Sequence, residues 1–177
     1  MLVCPVDVLV ICGPTGVGKS STAYEVAHLL AAANLPHAMT DCDELDRVHP
    51  WPQPGLAASG LSRRNLAAVW SNLAALGHVR LLLTGVFAVL SDDPAWITLA
   101  VPNANLTVIR PTADLPTLDS RIYGREIAPG ADAQLGRALT QLGVIARGDP
   151  PGTVVIDTTN QTVSQTAAQT LEVWLNR

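Results

Sequence analysis

Lysine is almost missing from this chain. Ten of its eleven basic residues are arginine, and the one lysine is Lys19. Elsewhere the sequence meets its need for positive charge with arginine. Position 19 therefore calls for a slim, flexible ammonium, which a guanidinium fork cannot imitate. Charge of either sign is scarce, with 15% charged residues against 48% hydrophobic ones, and that balance excludes a disordered chain. The net charge of -4 lacks the basic footprint of non-specific nucleic-acid binding, while leaving room for a local phosphate site.

Long apolar runs are also lacking. None approaches the roughly 20 residues of a membrane span. Met1 to Pro5 carries no basic segment, and the apolar stretch behind it leads straight into glycines, so a core strand is expected there and not a signal peptide. Cys4, Cys12 and Cys42 are odd in number and lack metal-ligand spacing. Reduced thiols and a cytoplasmic protein are the expectation. There are seven aromatics in all, four of them tryptophan. No repeat, low-complexity tract or linker divides the chain, so residues 1–177 are expected to form one domain.

What is present alternates. Asp7 to Cys12 is a β-branched apolar run that suits a strand buried on both faces. Ser20 to Ala33 is predicted helical, with Ala23, Val26, Ala27, Leu30 and Ala31 on one stripe. A short strand from His37 ends near Asp41, and three prolines forbid regular structure over 49–55. Helix is predicted over 61–76, a strand from Val79 running towards Val89, and a strand over 106–110 stopped by Pro111. Helices over 115–125 and 133–146, a strand over 153–156 and a closing helix over 163–175 complete the order. Strands alternating with helices imply an α/β sandwich, a parallel sheet covered on both faces.

Gly13-Pro14-Thr15-Gly16-Val17-Gly18-Lys19-Ser20 fits G-x-x-x-x-G-K-[ST], placed between a predicted strand and a predicted helix as a phosphate loop requires. Gly13, Gly16 and Gly18 allow backbone angles that turn N–H groups inward, and the helix adds its dipole. Lys19 is expected on the β- and γ-phosphates and the Ser20 hydroxyl on Mg²⁺. Thr15, Val17 and Ser21 complete the expected polyphosphate contacts.

Asp41 and Asp43 follow the second strand, and in open parallel sheets ligands collect at carboxyl ends of strands. Strand alternation would turn both towards the γ-phosphate, where a carboxylate can orient or deprotonate a hydroxyl. A plainer role stays open: Asp41 as a helix cap, with Asp43 and Glu44 as first-turn acids. The third predicted strand ends in Thr84-Gly85-Val86 without an acid, and Gly85 would let a substrate approach the backbone. N-K-x-D, the guanine signature, is absent, which favours ATP over GTP.

The loop followed by D-x-D resembles the small-molecule kinases related to shikimate, gluconate and adenylylsulfate kinase. Asp43-Glu44-Leu45 with Pro50 is similar to the segment that supplies the catalytic carboxylate in chloramphenicol phosphotransferase. These share the nucleoside monophosphate kinase fold, which implies a three-layer P-loop fold with a five-stranded parallel sheet in the order 2-3-1-4-5. The resemblance places Asp41 near Mg²⁺ and Asp43 at the acceptor hydroxyl. It implies an acceptor-binding segment over about 43–65 and a short lid over about 125–135.

Arg121-Ile122-Tyr123-Gly124-Arg125 resembles the entry to the adenylate kinase lid. On that resemblance Arg121 stacks on adenine or holds its edge, and Arg125 reaches the transferring phosphoryl group. Their i,i+4 spacing puts both on one helix face, and a solvated face paired with Asp119 and Glu126 is the alternative. In related kinases an arginine near Arg63 and Arg64 grips an acidic group of the acceptor; which of the two does so is open. Trp51, between His49 and Gln53 among prolines, can wall an acceptor pocket. Trp70 and Trp96 would lie near the same mouth, or serve as core packing. Asp157 to Gln161 resembles the turn that receives adenine, with Thr158 as the contact.

The implied activity is ATP- and Mg²⁺-dependent phosphoryl transfer to a hydroxyl of a small molecule, a metabolite or a natural product such as an antibiotic. No nucleic-acid or membrane partner is expected, and the oligomeric state stays open. A nucleoside monophosphate kinase, using Arg63, Arg64 and Arg137, and a non-catalytic ATP-binding module are the alternatives.

Overall fold

The computed structural model describes residues 5–50, 60–85, 95–125, 130–145 and 149–176. Val8, Leu9, Val10 and Ile11 are wholly buried because β1 (Val6–Cys12) is the middle strand of the sheet and carries a helical layer on each face. β3 (Arg80–Gly85) and β4 (Ala104–Thr112) flank it, both parallel to it. β2 (Ala38–Asp41) and β5 (Val154–Asp157) form the edges, completing the order β2-β3-β1-β4-β5. A continuous apolar run in a central parallel strand is what burial on both faces demands.

Alternation divides the core. Val8, Val10, Leu81 and Leu83 pack towards α2 (Gly60–Ala75) and α3 (Ala95–Ala100), with Leu66, Trp70 and Ile97. Leu9, Ile11, Leu82 and Ile109 pack on the other face towards α1 (Lys19–Ala32) and α6 (Val163–Leu175), with Val26, Leu30 and Trp174. Truncating one of the fully buried leucines to alanine costs about 2–5 kcal/mol in sites of this kind. A smaller cluster of Ile122, Ala131 and Ala138 joins α4 (Leu115–Arg125) to α5 (Gly130–Ile145).

The predicted strands and helices appear with shifts of a few residues, and three points differ. α3 is an additional short helix that six residues could not announce by periodicity. β4 does not stop at Pro111 but runs to Thr112, in register with β5 at Pro111↔Ile156. Pairing of β4 with β1 ends at Ile109, where β1 turns into the glycine loop, so the missing N–H of proline interrupts no central ladder. α5 begins at Gly130, three residues before the predicted start. Trp51 and the proline-rich stretch from 51 onwards, the strand continuation beyond Gly85, and residues 126–129 of the expected lid lie outside the described residues. Among the described residues no helix is long and apolar enough to cross a membrane.

Candidate active site

The loop between β1 and α1 takes the backbone form its glycines permit. Gly16 and Gly18 lie at φ of 91° and 94°, a region that side chains disfavour. Gly16 is also the point where α4 rests on the loop: a Cβ there would meet Ile122 Cγ1 at 3.1 Å and Leu118 Cδ2 at 3.3 Å. Behind the loop, Arg110 donates two hydrogen bonds to Asp149, at 2.6 and 2.7 Å, a forked pair that braces β4 against the segment before β5.

α1 starts at this loop with Gly18 as its N-cap and no side-chain cap. Its first N–H groups are therefore left for an anion. The contrast is α6, where Thr162 and Gln165 form a complete capping box. Lys19 is buried, and its Nζ donates to the Pro14 carbonyl at 3.0 Å. Burial holds its pKa below the ordinary lysine value, while the carboxylates of Asp43 and Asp41 pull it back up.

Asp41 is the last residue of β2, and its Oδ1 accepts the backbone N–H of Asp43 at 3.0 Å. This caps a 3-10 turn over Cys42–Glu44. The strand alternation expected to align the two acids therefore ends at Asp41, and the turn places Asp43 instead. Asp43 lines the cavity at the phosphate loop and Asp41 does not, though both carboxylates act on Lys19. Glu44 points away and pairs with Arg47. Ser62 Oγ donates to Asp46 at 2.8 Å and Asn65 Nδ2 to the Leu45 carbonyl at 2.6 Å, which fixes the start of α2 beside this turn.

Two cavities share the loop. The smaller, about 100 Å³, is lined by Thr15, Gly16, Gly18, Lys19, Ser20, Ser21, Asp43 and Arg125. The larger, about 280 Å³, runs over Val17, Ser21 and Thr22 to Arg121, Thr158, Gln161 and Thr166. Gly16, Gly18, Ser21 and Arg125 border both. The first gathers a cation, a hydroxyl, a carboxylate and a guanidinium; the second is a cleft between α4 and the turn after β5.

Arg121 forms one wall of the larger cleft. Its guanidinium donates to Thr158 Oγ1 at 2.9 Å and to the Thr158 carbonyl at 2.8 Å. Thr158 is itself tied to the Thr112 carbonyl through its N–H and its hydroxyl. Two of its five N–H donors are spent on the protein, which fixes the guanidinium plane and leaves a flat face for a base.

The other expected positions that the structure describes are not among the residues lining these two cavities. Arg63 and Arg64 are exposed on the first turn of α2 and make no hydrogen bond or ion pair to a described residue. Arg137 is exposed on α5. Gly85 is buried at the end of β3, opposite Cys12. Trp70 is core, and it borders a groove at the amino ends of the strands with Val6, His78 and Asn103, far from the loop. Trp96 packs on the same core. Cys12 and Cys42 are free and buried, and burial pushes the Cys12 thiol up to about 12. Sequence reasoning missed Gln141, whose Oε1 accepts the Thr15 N–H at 2.9 Å across 126 residues of chain. No local signal could announce it.

Among the described residues no group of three acidic, histidine or cysteine side chains could hold a metal unaided. What is present suits a hard cation that brings its own phosphate ligands. Ser20 lines the small cavity, Asp41 keeps a second carboxylate oxygen, and the wholly buried Thr84 hydroxyl has no hydrogen-bond partner among the described residues. Thr84 is the register partner of both Asp41 and Ile11.

No protein-family model and no curated protein matches this sequence. Solved structures do. A gluconokinase from Sinorhizobium meliloti 1021 aligns at 19% identity over 97% of this chain and 93% of its own, with a TM-score of 0.60. The APS kinase CysC of Mycobacterium tuberculosis, in complex with AMPPNP and APS, aligns at 17% identity over 98% and 100%, with a TM-score of 0.58. Shikimate kinase from Acinetobacter baumannii, in complex with shikimate, aligns at 18% identity over 97% and 94%, with a TM-score of 0.54. The chain has the all-parallel 2-3-1-4-5 fold of the P-loop small-molecule kinases.

Proposed function

We propose that this chain is an ATP- and Mg²⁺-dependent kinase that transfers the γ-phosphoryl group to a hydroxyl of a small molecule. One observation carries the proposal: a single cavity lined by Lys19, Ser20, Asp43 and Arg125. Phosphoryl transfer needs little covalent help from a protein. It needs cations around the transferred group, a metal on the phosphates and a carboxylate on the attacking hydroxyl.

Each part has a residue here. The loop N–H groups and the open start of α1 take the phosphates, and Lys19 neutralises the developing charge between them. Arg125 does the same from α4. Asp43 accepts the hydrogen bond of the acceptor hydroxyl and thereby aims its oxygen. Mg²⁺, held by Ser20 and backed by Asp41, would supply charge to the phosphate oxygens. Adenine would lie in the larger cleft against Arg121, beside Thr158. Thr15, Val17 and Ser21 line the two cavities along the course of the polyphosphate.

An alcohol suits this cavity better than a second phosphate. Lys19 and Arg125 are the cations lining it, and Asp43 opposes them, whereas a nucleoside monophosphate would bring its dianion against that carboxylate. The exposed Arg63 or Arg64 would meet an acidic group on the acceptor from the start of α2, and Trp51 and Gly85 would border the same substrate.

ADP release from ATP and Mg²⁺, measured across a panel of polyols, sugars, aromatic alcohols and nucleoside monophosphates, tests the assignment. Stimulation by one alcohol class and not by monophosphates is the expected result. Stimulation by monophosphates alone, or by no member of the panel, would overturn it.

A further inference from the structure

Thr15 borders only the small cavity, together with Lys19, Ser20 and Asp43, and not the larger cleft assigned to the base. Its backbone N–H thus belongs to the end of the site where a terminal phosphate would sit. That N–H is already taken by Gln141 from α5. The orientation of the carboxamide follows, because a backbone N–H can only donate. The amide must turn its oxygen to Thr15 and its NH₂ away.

The two ends of a carboxamide lie roughly 2.2 Å apart, so Nε2 stays within about 5 Å of the Thr15 nitrogen. This donor end makes no hydrogen bond to a described residue, and it is not among the sequestered polar atoms. Gln141 therefore takes up one loop donor and brings two N–H groups within about 5 Å of Thr15, a residue that lines the transfer cavity. Its position is not left to chance. α5 is held to α4 by the Ile122, Ala131 and Ala138 cluster and by a hydrogen bond from the Tyr123 hydroxyl to Asp132, and α4 rests on Gly16.

We propose that Gln141 is a specificity residue for the terminal phosphate: Thr15 N–H fixes its oxygen, and its NH₂ donates to a γ-phosphoryl oxygen. A nucleoside diphosphate does not reach that donor, so Gln141 separates ATP from ADP. The proposal rests on the kinase function assigned to the same cavity.

The experiment compares Gln141→Glu, Gln141→Leu and the unaltered protein by calorimetric titration with Mg²⁺ and either AMP-PNP or ADP. The glutamate keeps an acceptor for Thr15 but faces phosphate with negative charge. The leucine removes both ends at similar volume. In each variant the preference for AMP-PNP over ADP is expected to fall, by about tenfold or more in the glutamate variant. The leucine titration supplies the same ratio if the glutamate protein does not fold. An unchanged ratio in a folded variant, whether both affinities fall together or neither does, would overturn the proposal. Failure of the unaltered protein to bind either nucleotide would instead remove the kinase assignment and this role with it.

Discussion

The Asp41 carboxylate accepts the backbone N–H of Asp43 at 3.0 Å, so the first acid of the pair sets the turn that carries the second. Asp41 is a positioning residue for Asp43 whatever else it does. Cap and metal support are separable. Asp41→Ala is expected to lose about 1 kcal/mol of stability in a urea titration, the usual worth of a capping side chain. Asp41→Asn keeps an acceptor oxygen and should hold stability, while Mg²⁺-dependent AMP-PNP binding weakens. Wild-type Mg²⁺ dependence in the asparagine variant would leave Asp41 with the cap alone.

Lys19 makes stability and function oppose each other. Burial lowers its pKa from the ordinary 10.5, so between that lowered value and 10.5 the unfolded chain binds more protons than the folded one. Stability of the nucleotide-free protein is then expected to rise with pH through that interval. Lys19→Met should remove this slope and raise the neutral-pH melting midpoint by a few degrees. It should also abolish the further rise on adding ATP. A lowered midpoint in thermal melts without nucleotide would show that the Pro14 contact and the nearby carboxylates outweigh burial.

Arg121 spends two donors on Thr158, and a lysine cannot make that fork. Arg121→Lys and Arg121→Ala are both expected to cost about 1–3 kcal/mol of stability in denaturant titrations. Both should weaken ADP binding by about tenfold in calorimetry. ADP affinity equal to wild type in the lysine variant would remove Arg121 from the base cleft.

The order of elements was legible because each strand is short, apolar and bounded, and because the Gly13 to Ser20 pattern has a local cause. β4 was cut short because proline is read as a stop; its tolerance depends on where β1 ends, which is a tertiary fact. From sequence, Asp43 and Arg125 are expected at the transferring phosphoryl group; in the fold both line a cavity with Lys19, and strand alternation is not what brings Asp43 there. The strand alternation invoked for the acids ends at Asp41, and a capped turn does the placing. Resemblance alone makes Arg121 an adenine contact; that it walls the larger cleft and is tied to Thr158, 37 residues away, had no local signal. The bond from Thr15 to Gln141 was hidden for the same reason, and Thr84 reads in the sequence only as a strand end, not as a buried hydroxyl. A glutamine in a helix and a threonine at a strand end have no signal until the chain folds over them.

The most direct test is Asp43→Asn, with turnover and nucleotide affinity measured on one preparation. With the alcohol identified by the ADP-release panel, turnover is expected to fall by about 10²–10⁴-fold. AMP-PNP affinity should hold or tighten, because a negative group leaves the phosphate cavity. Turnover equal to wild type in this variant would contradict the assignment of Asp43, and with it the transfer chemistry proposed for the cavity.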